Sequence, residues 1–215
     1  AVVARTALGQ HPQAVKAAQE YQRLFAAADP DDADEVTFLL GKAHEMAGKR
    51  AEAMAVYAGY VGRARNIDHQ LEALVRLAQL RLSAKELHGA DEALKQAVQL
   101  AKQPGRTLRE GKIHAAHARY LQGERLVSTF DAIKLDVSGP ELQRRLTRKK
   151  ELLRDAGAVF ADCAKMGAAE WTTAALYRIG YVFEGFAQAL RSARPPESSS
   201  PDEQDRFHEL VDPIA

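Results

Sequence analysis

Apolar residues recur along this chain at intervals of three and four, which is the spacing of one face of an α-helix. A short motif returns four times, with a bulky residue three positions before a glycine or alanine and another side chain three positions after it. The small residues of the four copies are Gly41, Ala78, Gly123 and Gly180. A small residue flanked in this way is typical of a helix that a second helix approaches closely. The pattern therefore predicts helices that pack in pairs.

A second pattern follows three of these motifs and consists of an alanine, a bulky residue four positions later and an apolar residue three positions after that. Because such triplets fall on one helical face, they predict the second helix of each pair. The triplets are Ala53, Tyr57 and Tyr60, then Ala90, Leu94 and Ala97, then Ala156, Phe160 and Cys163. A further copy at Ala17, Tyr21 and Leu24 predicts that the chain opens with the second helix of a preceding unit. No stretch alternates apolar and polar residues over the length of a strand, so we expect an all-α fold.

Residues typical of helix ends fall between these helices. Asp32-Ala-Asp-Glu35, Thr107-Leu-Arg-Glu110 and Ser200-Pro-Asp-Glu203 are expected to cap helix N-termini. Gly48 and Gly167 are expected to end helices. The starts and stops agree with the helices that the apolar spacing predicts.

Residues 34 to 67 resemble the tetratricopeptide repeat family in Leu40-Gly41, in the turn at Gly48, and in Ala53 and Tyr57. In the next unit Ala78 replaces the glycine and Lys85 occupies the turn. The resemblance implies an α-solenoid of antiparallel helix pairs, arranged as one superhelical domain over residues 1–215. The expected units are 1–33 (partial), 34–70, 71–106, 107–167 and 168–215.

The third pair is predicted to be elongated. Twelve positions separate Gly41 from Ala53, whereas thirty-three separate Gly123 from Ala156. The surplus amounts to about six helical turns and lies between Leu126 and Arg154, with Ser138-Gly-Pro-Glu141 as the expected turn. The unit should therefore form a long hairpin.

A basic run lies within this hairpin, beside an apolar stripe. Its members are Arg144, Arg145, Arg148, Lys149 and Lys150. One interpretation is a solvated helix face compensated by nearby carboxylates. The other is a docking surface for an acidic protein, an anionic lipid or a polyanion. Nucleic acid is the less favoured polyanion, because no aromatic residues that would stack on bases are interleaved with the run.

Composition narrows the choice of function. Thirty basic and twenty-nine acidic residues give a net charge of +1, which does not favour nucleic acid as the main partner. No apolar run is long enough to cross a bilayer, and the first residues do not form a signal peptide. The first residue is Ala rather than Met, so we expect a fragment of a longer protein, and its compartment stays open. The single Cys163 excludes an internal disulfide.

The long hairpin, the segment from Glu170 through Trp171 to Gly180, and the polar loop after Ala193 resemble repeat proteins of the bacterial cell envelope. These include gliding-motility proteins of myxobacteria. The resemblance implies a periplasmic or outer-membrane-associated assembly protein, with a cytoplasmic adaptor as the alternative.

Signs of catalysis are few. His114 and His117 could share a helical face, but no ligand motif accompanies them, and Cys163 lies on an apolar face without a partnered base. No phosphate-binding loop or nucleophile motif is present. We therefore expect no enzyme activity, no metal site and no cofactor.

The concave surface formed by the first helices is the main candidate site that the tetratricopeptide resemblance implies. Aromatic and charged residues alternate there, which suits an extended peptide or a helix of a protein partner. The same aromatic rings could instead only seal neighbouring units. The expected lining consists of Glu35, Phe38, Lys42, Glu45, Met46, Glu72, Gln79, His117, Tyr120, Glu124, Tyr177 and Tyr181, with Val75, Leu82, Ser83, Val127, Ala174 and Glu184 beside them.

The function expected from the sequence is therefore that of a non-enzymatic protein–protein interaction scaffold, acting in a bacterial envelope or motility assembly. The alternative is a helical repeat that binds a polyanion or nucleic acid through the basic hairpin.

Overall fold

The computed structural model describes residues 1–104, 108–197 and 199–212. These residues form ten α-helices and no β-strand, so the all-α prediction is confirmed for the described residues. The helices are α1 (Val2–Ala7), α2 (His11–Phe25), α3 (Pro30–Met46), α4 (Arg50–Val61), α5 (Ile67–Ser83), α6 (Leu87–Ala101), α7 (Gly111–Ala132), α8 (Gly139–Lys165), α9 (Ala169–Ser192) and α10 (Pro201–Val211).

The chain divides into two compact units, Ala1–Ala118 and Arg119–Ala215, with the boundary inside α7. In the first unit each helix from α1 to α5 packs against the one that follows it. In the second unit α8 packs against α9, and α10 packs against α8. Packing between consecutive helices is what the paired motifs predict.

Burial follows the predicted triplets. All nine side chains from Ala53 to Cys163 in the three triplets are fully buried. The buried face predicted at Ala17, Tyr21 and Leu24 is wrong, because Leu24 is 51% exposed and Tyr21 only half-buried. The buried face of α2 is formed instead by Ala14, Val15 and Ala18, which pack with Leu40 and Ala43 of α3.

Two of the motif glycines lie under an aromatic ring of the following helix. A Cβ atom on Gly41 would meet the ring of Tyr57, and one on Gly123 would meet the ring of Phe160. Close helix approach at these glycines, as the motif predicts, is therefore present in both units.

Of the predicted helix N-caps, the one at α10 is confirmed and the one at α3 is not. Ser200 and Glu203 form the predicted capping box at the start of α10. The cap of α3 is Asp29, whose carboxylate accepts a hydrogen bond from the Asp32 N–H, so the predicted cap at residues 32–35 is wrong. The helix begins earlier because Pro30 fits the first helical position.

Thr107, which opens another predicted capping box, lies outside the described residues. The N-terminus of α7 is held from a distance in sequence, since the Asp68 carboxylate accepts hydrogen bonds from the N–H groups of Gly111 (3.0 Å) and Glu110 (3.3 Å).

The elongated hairpin consists of α7 and α8, which have 22 and 27 residues. The chain between them, residues 133–138, is not helical, and Ser138 is the N-cap of α8. The turn predicted at Ser138-Gly-Pro-Glu141 is therefore displaced, because the connection lies at residues 133–138 and residues 139–141 already form the first turn of α8.

Candidate functional site

A row of charged side chains crosses three helices of the first unit. The Glu72 carboxylate lies 2.8 Å from Arg76 Nε and 3.2 Å from Lys42 Nζ. Arg76 also reaches Glu45 of α3 at 3.1 Å, and His114 Nε2 of α7 lies 3.6 Å from Glu72 Oε2. We call these five residues the first-helix face.

The environment of the first-helix face determines the protonation states of its titratable side chains. Burial alone would raise the pKa of Glu72, but the hydrogen bond and charge of Arg76, together with Lys42, hold that pKa below its ordinary value. Burial lowers the pKa of His114, which keeps its imidazole neutral at pH 7. Burial, with the charges of His114 and Arg76, lowers the pKa of the neighbouring His117 to about 4. The face therefore carries two cations and two carboxylates at neutral pH.

The first-helix face is recessed but open. Its charged side chains keep between 15% and 32% of their surface exposed. Met46 is 55% exposed, and Glu35 and Gln79 are also exposed. Lys42, Glu45 and Glu72 were predicted from the sequence as members of this surface. Arg76 was missed, although its position four residues after Glu72 is the spacing of a helical ion pair.

Three apolar residues that the sequence placed on the concave surface are buried. Phe38 is 2% exposed and stacks on His69 with ring centroids 4.5 Å apart. Val75 and Val127 are also core residues. Phe38 is therefore a core residue and not a surface anchor, because Tyr57 and Tyr60 of α4 cover its ring.

In the second unit the predicted residues separate into a buried set and an exposed set. Tyr120 is half-buried against Phe160 and Trp171, and Glu124 forms a bidentate pair with Arg178 at 2.6 and 2.9 Å. Tyr177 and Tyr181 of α9 are 70% and 42% exposed. Of the aromatic residues predicted for this surface in the second unit, the two tyrosines of α9 are therefore the exposed ones.

The basic run on α8 is less open than the sequence predicts. Lys149 is 3% exposed, and its ammonium group donates a hydrogen bond to the Phe130 carbonyl (2.7 Å) and lies 3.7 Å from the Phe130 ring centre. Its place on an outer basic face is therefore wrong, because the helix turns this position toward α7.

The remaining arginines of the run have carboxylate neighbours. Arg145 lies 3.0 Å from Glu141, Arg144 lies 3.5 Å from the same carboxylate, and Arg148 lies 3.1 Å from Glu151. Three of them still converge on one surface cleft of about 450 Å³, which is lined by Ala132, Ile133, Lys134, Glu141, Arg144, Arg145 and Arg148. Lys150 is exposed on the same helix.

The structure adds little to the case for metal binding or catalysis. Among the described residues, no group of three or more His, Cys, Asp or Glu side chains is arranged to hold a metal ion. Burial raises the pKa of the Cys163 thiol to about 11, so the thiol stays protonated at neutral pH and is a poor nucleophile.

None of the described helices combines the length and apolar character needed to span a membrane. No protein-family model, curated protein or solved structure matches the chain.

Proposed function

We propose that this chain is a non-enzymatic scaffold for protein–protein interaction, built from tetratricopeptide-like helix pairs in an α-solenoid. It binds a segment of a partner protein on the first-helix face. The observation that supports this function is the recessed row of paired charges contributed by α3, α5 and α7. By resemblance, we place the assembly in the bacterial cell envelope, at the periplasm or outer membrane.

The arrangement suits recognition because the charges are positioned before a partner arrives. Glu72 and Arg76 hold each other in place, so little side-chain entropy is lost when a partner's polar groups bind. Both signs of charge are present, which selects a segment with a complementary order of charges. Met46, exposed at the end of α3, offers an adaptable apolar contact.

Site-specific photo-crosslinking tests this function. A photoreactive phenylalanine analogue replaces Gln79, which is exposed on α5, or Gln96, which is exposed on α6 and serves as the matched control. Irradiated cells of the native host should give one defined protein adduct from position 79 and none from position 96. Equal adducts at both positions, or no adduct at position 79, would contradict binding at this face.

The cleft on α8 favours a second candidate function, the binding of an anionic polymer. Four cationic side chains, Lys134, Arg144, Arg145 and Arg148, line it with the single carboxylate of Glu141. Affinity for heparin should then fall steeply as salt rises, and Arg144→Gln with Arg148→Gln should lower the slope of log affinity against log salt by about two. Arg23→Gln with Arg50→Gln removes the same charge elsewhere, and an equal effect of this pair would exclude the cleft.

A further inference from the structure

One face of α9 is exposed although it carries large apolar side chains. Leu176, Tyr177, Tyr181 and Phe183 are between 42% and 70% exposed. The opposite face of α9, with Ala175, Val182, Phe186 and Leu190, is buried. Large apolar residues that gather on one exposed helical face are typical of a protein contact.

Gly180 lies in the middle of this face. The equivalent glycines Gly41 and Gly123 are each covered by an aromatic ring from another helix, whereas a Cβ atom on Gly180 would have nothing within 4 Å. Glycine weakens a helix relative to alanine, so its usual benefit inside a helix is close approach of a neighbour. No described residue of this chain approaches Gly180 in that way.

The exposed face also carries residues at a regular spacing of seven. Glu170, Tyr177, Glu184 and Arg191 follow one another at this interval, and all four are exposed. A spacing of seven keeps one row of side chains along the seam between two helices that wind around each other. The row therefore predicts which side chains a second helix would meet.

When the same row of a second helix runs in the opposite direction, each residue of the row faces a residue that complements it. In an antiparallel pair of α9 helices centred between Gly180 and Tyr181, Glu170 faces Arg191 of the second copy, and Tyr177 faces Glu184. The same register sets Gly180 at the level of Tyr181 of the second copy, and Thr173 at the level of Gln188. A parallel pair would instead place Glu170, Glu184 and Arg191 each against the same residue, which brings like charges together.

We propose that α9 is a self-association surface, on which α9 of a second copy packs antiparallel in this register. Contacts of both kinds already occur within one chain. The Tyr57 hydroxyl donates a hydrogen bond to Glu45 (2.9 Å), as Tyr177 would to Glu184 of the second copy. The ring of Tyr57 covers Gly41, as Tyr181 would cover Gly180. This surface shares no residue with the first-helix face, so each can be tested without the other.

Charge reversal tests the register by sedimentation velocity across the micromolar range. The wild-type chain should form a concentration-dependent dimer. Glu170→Arg and Arg191→Glu each replace two attractive contacts of the dimer with two repulsive ones, so each should raise the dimer Kd about tenfold. An equimolar mixture of the two variants should dimerise like the wild type, because the heterodimer restores both opposite-charge contacts. The double variant Glu170→Arg/Arg191→Glu should do the same.

A monomeric wild-type chain at all concentrations would overturn the proposal. So would a dimer that both single variants leave unchanged, or a mixture that stays as weak as its components. Gly180→Leu should abolish dimerisation by filling the space reserved for Tyr181 of the second copy. Gly59→Leu is the matched control, because Gly59 is also an exposed helical glycine with nothing near its Cβ position. Circular dichroism verifies that each variant is folded, and an equal loss of dimer in both leucine variants would count against the register.

Discussion

The ring of Tyr57 occupies the space into which a side chain at position 41 would extend. A Cβ atom on Gly41 would lie 2.5 Å from the nearest ring atom, closer than real Cβ contacts. The Tyr57 hydroxyl donates a hydrogen bond to Glu45 of α3, which in turn binds Arg76 of α5. The absence of a side chain at Gly41 thus lets one tyrosine reach from the core to the first-helix face.

We expect Gly41→Ala to lower the free energy of unfolding by about 1–3 kcal/mol, because the added methyl group forces the Tyr57 ring to move. Gly180→Ala is the control in the same motif, and it should raise the free energy of unfolding by about 0.5–1 kcal/mol, since its Cβ meets nothing in the chain. Urea denaturation at a concentration that keeps the protein monomeric measures both. Equal destabilisation at the two positions would contradict this reading of the motif.

Much of the pairing of helices could be predicted from such local patterns. The triplet around Tyr57 and the motif around Gly41 each record one contact between neighbouring helices, so spacing alone was sufficient. Gly180 has the same spacing, but no ring covers it. Whether a ring covers a glycine depends on the position of other helices in the fold, which local spacing does not determine. Lys149 was predicted to be exposed because it is charged. It is buried because it lies on the same helical face as Leu142, Leu146 and Leu152.

The equivalent turns after α3 and α5 predict that exchanging glycine and lysine has opposite effects on stability at the two positions. Gly48 after α3 and Lys85 after α5 both have positive φ, +72° and +62°. A lysine is strained in this conformation, so Lys85→Gly should raise the free energy of unfolding by about 0.5–1 kcal/mol. Gly48→Lys creates the same strain at the other turn and should lower it by about 1 kcal/mol. Thermal and urea denaturation of the two variants would refute this account if both changes had the same sign.

The contact between Glu72 and Arg76 should contribute more than an ordinary surface ion pair. Glu72 keeps only 15% of its side chain exposed and is shared among Lys42, Arg76 and His114. A double-mutant cycle with Glu72→Ala and Arg76→Ala should give a coupling free energy of about 1–2 kcal/mol. The exposed pair Glu92 and Lys95, 4.0 Å apart, is the matched control and should give at most about 0.5 kcal/mol. Similar coupling free energies in the two pairs would show that partial burial does not strengthen the contact between Glu72 and Arg76.

The candidate site was less predictable than the helices, for a physical reason. The pair of Glu72 and Arg76 is local and can be read from its spacing, but the contacts of Arg76 with Glu45 and of His114 with Glu72 join helices far apart in sequence. A single sequence gives the position of each residue on its own helix. It does not give the rotation of one helix against the next, which decides that Phe38 is covered and Arg76 is not.

His117 should make the protein sensitive to mild acid. Its pKa is lowered to about 4 in the folded chain, chiefly by burial, whereas the unfolded chain has the ordinary value of 6.5. Between these two values the unfolded chain binds a proton that the folded chain does not, so the free energy of unfolding should fall as the pH decreases from 6.5 to about 4. His117→Gln removes this contribution, and its free energy of unfolding should decline less over that range. His88→Gln, at an exposed position on α6, is the control and should follow the wild type in urea denaturation at each pH. If His117→Gln and the wild type declined in parallel, the environment assigned to His117 would be incorrect.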